Sequence, residues 1–135
     1  MTTDTLIDRR IAAPAAAQSR RVFVIDDDDV MLLTCRRTLE KDGYDVETFQ
    51  NGLDGTRPIE QLQPQLLLVD LKMPELDGLQ VIERVRKVDP DVVIAVITGY
   101  ATISTAVEAM KAGAYDFLPK PFTPDELRLI VNRGH

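Results

Sequence analysis

Three short, uninterrupted apolar runs, Val22–Ile25, Leu66–Val69 and Val92–Ile97, limit what this chain can fold into more than any other feature. Each is bounded by charged or turn residues, is too short for a helix, and lacks the apolar/polar alternation of a strand with one wet face. Runs of this kind are buried on both faces, as in a parallel sheet covered by helices. Asp45–Phe49 and Tyr115–Leu118 are weaker strand candidates.

Between these runs the apolar period changes to that of helices. Met31, Cys35 and Leu39 fall four residues apart, and Leu79, Ile82, Val85 and Val88 repeat at threes. Ile103, Val107 and Met110 form a third stripe, and Leu127, Ile130 and Val131 a fourth. The Ile103, Val107 and Met110 stripe is expected to be core. The remaining connector, Leu53–Leu62, is the poorest helix, interrupted by Gly55 and Pro58. Lys41-Asp42-Gly43 and Lys111-Ala112-Gly113 read as helix stops, and Thr123-Pro124-Asp125-Glu126 as a capping box with proline in the first turn. Five strands alternating with five helices predict a (βα)5 chain, and right-handed crossovers make it a doubly wound α/β sandwich.

The 135 residues suffice for one such domain. Residues 1–20 are read as a flexible leader, because Ala12–Ala17 is small, broken by Pro14 and unlike a signal-peptide core. No run of about 18 apolar residues is present, so no membrane span is expected. Net charge is −6, and since the leader holds two acids against three arginines, residues 21–135 carry −7. Such a surface repels phosphate backbones, which disfavours direct nucleic-acid binding. The single Cys35 excludes an internal disulfide or a cysteine-based metal cluster, fits a reducing, cytoplasmic setting, and is read as core packing.

In an open parallel sheet the chemistry gathers beyond the carboxyl ends of the strands. The first predicted strand ends at Asp26-Asp27, the third at Asp70, the fourth at Thr98, and the fifth runs into Lys120. Carboxylates brought this close repel one another at neutral pH, so Asp26, Asp27 and Asp70 call for a cation. A hard divalent ion with oxygen ligands suits them, and Mg²⁺ combines carboxylates, waters and a phosphoryl oxygen. Lys120 would neutralise a second phosphoryl oxygen and Thr98 donate to a third, leaving one aspartate as nucleophile for an acyl phosphate.

With these residues in view, the chain resembles the receiver domain of bacterial two-component response regulators. The resemblance covers residues 21 to about 133. It rests on VFVIDDDD (22–29), LLLVDLKMPELDG (66–78), AVITGYA (95–101) and AYDFLPKPF (114–122), with spacings of 43, 28 and 22 between Asp27, Asp70, Thr98 and Lys120. It implies a flavodoxin/CheY-like sheet of order 2-1-3-4-5, with residues 21–135 as the receiver. Asp70 is then the phosphoacceptor, Asp27 a direct Mg²⁺ ligand, Asp26 a ligand through water, and the backbone carbonyl of Lys72 the last protein ligand. Thr98 and Phe117 resemble a switch pair, and Lys120-Pro121 is expected to be cis. Phe117 stands where Tyr is common, so the switch would rest on packing alone. Gly99 is expected to leave space over the site. Implied partners are a sensor histidine kinase, a homodimer through the fourth helix, fifth strand and fifth helix, and an output domain or partner outside this chain. The stretch TGYATISTAVEAMKAGAYDFLPKPF is similar to receivers of sigma-54-dependent activators or hybrid kinases. The chain is therefore expected to be either a stand-alone regulator or a receiver from a longer protein.

The neighbouring acids receive plainer readings: Asp29 caps the first helix and Asp28 faces solvent. His135 is assigned no role. Lys72 and Tyr100, two positions beyond Asp70 and Thr98, are bulky groups at the mouth expected to shield an acyl phosphate from water. Two other functions stay open at this point. VFVIDDDDV also fits a haloacid-dehalogenase-like phosphatase with Asp26 as nucleophile and Asp28 as acid/base, and a phosphorylation-silent adaptor would share the same fold.

Overall fold

The computed structural model describes residues 20–134. The leader read over residues 1–20 lies, apart from Arg20, outside these residues, as does His135. Strands β1 (Arg21–Ile25), β2 (Asp45–Phe49), β3 (Leu66–Val69), β4 (Val93–Thr98) and β5 (Asp116–Pro119) form one sheet, all parallel, in the order β2-β1-β3-β4-β5. The expected order is observed. Helices are α1 (Asp29–Lys41), α2 (Gly52–Thr56), α3 (Ile59–Leu62), α4 (Gly78–Val88), α5 (Ile103–Ala112) and α6 (Pro124–Arg133). The weak second helix of the sequence is split into α2 and α3, so its fourth and fifth predicted helices are α5 and α6.

Alternate residues of the central strands feed two separate cores. Phe23, Ile25, Leu67, Val69, Ile94 and Val96 pack with Ile59 of α3, Val81, Ile82 and Val85 of α4, and Ala109 of α5. Val22, Val24, Leu66, Leu68, Ala95 and Ile97 pack on the other face with Leu32, Cys35 and Leu39 of α1 and Leu127, Ile130 and Val131 of α6. Two-sided burial is why these strands read as continuous apolar runs.

Three expectations need correction. Gly55 is not a helix break: it lies inside α2, and a Cβ there would stand 2.4 Å from Cδ1 of Ile25, so glycine lets the helix sit against β1. Proline is the interruption, since the chain leaves helical geometry between Thr56 and Ile59 at Pro58. The Ile103, Val107 and Met110 stripe is not core; all three are exposed, Ile103 at 86%, and α5 buries only Ala109. The third correction concerns which aspartate caps α1. Asp28 is the N-cap, its carboxylate accepting the Val30 N–H, while Asp29 is the first helical residue and accepts from the Gln50 side-chain amide. A cap must keep extended backbone, and the chain leaving β1 holds that conformation through Asp28.

The other punctuation behaves as read. Gly43 and Gly113 have positive φ at the ends of α1 and α5, and Thr123 with Glu126 closes the capping box of α6. Capping boxes also start α4 (Asp77 with Gln80) and α5 (Thr102 with Thr105).

Candidate functional site

Strand register brings the site together. Ile25 is level with Val69, so Asp26 and Asp70, the next residues on adjacent parallel strands, come level at the carboxyl edge of the sheet. Thr98 ends β4 opposite Pro119, and the Lys120 N–H bonds back to the Thr98 carbonyl at 2.8 Å. Residues 22 to 94 apart in sequence thus reach one edge through backbone ladders alone.

Asp26 is fully buried and Asp70 nearly so, whereas Asp27 is exposed. One carboxylate oxygen from each lies within 4.8 Å of the others, an arrangement able to hold a metal ion. The Lys120 ammonium donates to Asp26 Oδ2 at 2.6 Å and to Asp70 Oδ2 at 3.1 Å. The remaining oxygens accept backbone N–H groups, Asp26 Oδ1 from Asp28 at 3.0 Å and Asp70 Oδ1 from Lys72 at 3.3 Å. Two aspartates, one lysine and two amides therefore compose a polar cluster whose members satisfy one another.

Burial pushes the Asp26 carboxyl above its ordinary value; hydrogen bonds from Lys120 and the Asp28 amide, and the lysine charge, oppose that rise. Burial works against the Lys120 ammonium, but hydrogen bonds and charge from Asp26 and Asp70 outweigh it and raise its pKa. Lysine thus stays charged at neutral pH, the state in which it offsets the carboxylates. The donor set consists of hard carboxylate oxygens with one exposed member, which fits a Mg²⁺ ion that keeps part of its water shell.

The geometry of the loop after β3 is set by Gly78 at the start of α4. A Cβ there would stand 2.4 Å from the Asp70 carbonyl oxygen, and the Gly78 N–H bonds the Leu71 carbonyl at 3.0 Å, so the helix start abuts the Asp70 backbone. Thr98 is fully buried and its Oγ1 accepts the Tyr100 N–H at 3.1 Å. Phe117 is half-buried and packs on the core that contains Ile94, Val96 and Ala109. Lys120-Pro121 is cis, as expected. A Cβ on Gly99 would meet nothing within 4 Å, in keeping with the open space expected there.

Asp28 does not join the cluster. One oxygen of its carboxylate accepts the Val30 N–H as the N-cap of α1, and the metal-competent group is Asp26, Asp27 and Asp70 without it. What the sequence did not disclose is a contact across the mouth: the Lys72 ammonium lies 5.3 Å from the centre of the Tyr100 ring. Both were singled out as bulky, but nothing local in sequence pairs residues 28 apart.

A family model described as the response regulator receiver domain matches residues 22–132. Response regulator MprA of Mycobacterium sp. (strain KMS) is 39% identical over 107 residues, which is 79% of this chain and 46% of that protein. The solution structure of the beryllofluoride-activated NtrC4 receiver domain dimer is 34% identical with a TM-score of 0.81, covering 85% of this chain and 95% of that one. A response regulator from Burkholderia pseudomallei, solved with a phosphorylated aspartic acid, calcium ion and citrate, is 34% identical with a TM-score of 0.78, covering 83% and 66%. The chain spans between a quarter and a half of the curated relatives it matches. Among the described residues, no helix is long and apolar enough to cross a membrane.

Proposed function

Because the chain belongs to the response regulator receiver domain family, matching it over residues 22–132, we propose that it is a phosphorylation switch with Asp70 as phosphoacceptor. The observation that carries this reading is the juxtaposition of Asp26, Asp27 and Asp70 with the Lys120 ammonium hydrogen-bonded to two of them. It acts as a signalling switch and not as a turnover enzyme on an external substrate.

The donor is the phosphohistidine of a sensor histidine kinase in the cytoplasm. An Asp70 carboxylate oxygen attacks the phosphorus, the P–N bond breaks, and the leaving imidazole takes up a proton, giving an acyl phosphate. Lys120 offsets the charge on the phosphoryl oxygens and Thr98 offers its hydroxyl to another. Asp27 and Asp70, Asp26 through water, and the Lys72 carbonyl would hold Mg²⁺, which when bound neutralises charge at the transferring group. Hydrolysis reverses the state: water attacks phosphorus, the bond to Asp70 breaks, and inorganic phosphate leaves.

The change then spreads from Thr98. As its side chain turns toward the phosphoryl group it vacates space that Phe117 fills by packing alone, since Phe117 has no hydroxyl to bond. This reshapes the face of α5, β5 and α6, where exposed Ile103, Val107 and Met110 support docking of a second copy or of an output partner. NtrC4 forms a dimer in its activated state, which lends support to the first.

Incubating wild type and Asp70→Asn with a small-molecule phosphodonor and Mg²⁺ tests the assignment by intact-protein mass. Wild type is expected to gain one phosphoryl group and the variant none; equal labelling of both removes Asp70 from its role.

A further inference from the structure

Lys72 carries a charge that the switch described above does not use. It is exposed on the loop after β3, and among the described residues its ammonium forms no ion pair, although its backbone N–H donates to the Asp70 carboxylate at 3.3 Å. Instead the ammonium rests 5.3 Å over the Tyr100 ring. Tyr100 is in turn tied to two other parts of the mouth. Its N–H donates to Thr98 Oγ1 at 3.1 Å, and its carbonyl accepts from Thr105 Oγ1 at 2.7 Å. Thr105 is the inner member of the capping box that starts α5. A continuous path therefore runs from the Lys72 side chain through Tyr100 to the first turn of the helix bearing the exposed apolar stripe.

Resting on the reading of Asp70 as phosphoacceptor, we propose that Lys72 is a second cation for the phosphoryl group, held against Tyr100 until that group arrives. Replacing a carboxylate by an acyl phosphate adds negative charge and three strong acceptor oxygens two residues away. A charge-assisted hydrogen bond to such an oxygen is stronger than contact of an exposed ammonium with an aromatic face. The flexible four-carbon stem of lysine makes the exchange a rotation of one side chain with no backbone rearrangement. On leaving, Lys72 releases Tyr100, and the first turn of α5 loses a restraint at the moment Thr98 turns inward. Lys72 thus links charge at Asp70 to order in α5.

Hydrogen exchange at the amides of Thr102–Val107 reads this restraint. Without any phosphoryl mimic, Lys72→Ala is expected to exchange about two- to fivefold faster than wild type, the scale of one exposed cation–ring contact. Lys72→Arg and Tyr100→Phe keep a cation and a ring face, and are expected to match wild type. Adding beryllofluoride and Mg²⁺ should raise wild type to the level of Lys72→Ala and add little to that variant. The proposal is overturned if Lys72→Ala exchanges like wild type in the absence of the mimic, or if the mimic accelerates both proteins by the same factor. If wild type takes up no beryllofluoride, the phosphoacceptor reading falls and this proposal with it; uptake with equal factors removes this proposal alone.

Discussion

Helices α4 and α5 look alike as strings of letters and behave differently as surfaces. Both carry apolar residues at helical spacing, both begin with a capping box, and both lie on the same side of the sheet. Yet α4 buries Val81, Ile82 and Val85, whereas α5 buries Ala109 and leaves Ile103, Val107 and Met110 in solvent. The difference teaches that an apolar stripe announces a partner without saying whether the partner lies within the chain. For α4 it is the sheet; for α5 the described residues leave the stripe exposed.

The largest test of this contrast is on the α4 side. Ile82→Ala opens a cavity among fully buried neighbours and is expected to lower unfolding free energy by about 2–5 kcal/mol in urea titration. A loss under about 1 kcal/mol would place α4 with α5 as a loosely held helix.

A second test asks whether the opposite face, under α1 and α6, is as closed as that under α4. Burial pushes the Cys35 thiol up from 9.0 to about 12, and burial together with Asp116 pushes the Tyr115 hydroxyl up from 10.0 to about 12. Both groups stay neutral in the folded protein at pH values where the unfolded chain would ionise them. Their contribution is complete below pH 9 and is lost as pH rises toward 12, because the unfolded state then binds fewer protons. Urea midpoints measured at pH 8, 10 and 11 should fall in that order, with Cys35→Ala showing the shallower decline. A midpoint independent of pH would mean that α1 leaves Cys35 open to solvent.

The smallest expected effect on stability belongs to α5. The double variant Ile103→Ser, Met110→Ser should change unfolding free energy by no more than about 0.5 kcal/mol, since exposed positions contribute little. The same variant should weaken self-association of the beryllofluoride-loaded protein in sedimentation; unchanged self-association would take that stripe out of the docking face.

The site was far more legible than this contrast. Asp26, Asp27, Asp70 and Lys120 each follow a strand, and strand ends in a parallel sheet share an edge, so strand assignment alone carried four residues to one place. The capping role split between Asp28 and Asp29 was read one residue late. Both are acids next to a helix start, and only the extended backbone at Asp28 separates cap from first turn. Gly55 was read as a flaw in a helix because its reason, Ile25 at 2.4 Å from where a Cβ would stand, is thirty residues away.

What this sequence determined by itself was everything governed by local order: buried strands from unbroken apolar runs, helix stops at Gly43 and Gly113, a helix start at Thr123, and the acids at strand ends. The tertiary structure decided which amphipathic helix is covered, why Gly55 and Gly78 have no room for a methyl group, and that Lys72 rests on Tyr100. Backbone propensity and capping act over a few residues and leave their mark in adjacent letters. Burial and side-chain contact depend on surfaces that meet only after the strands are ordered, and the same apolar stripe serves a core or a partner equally well.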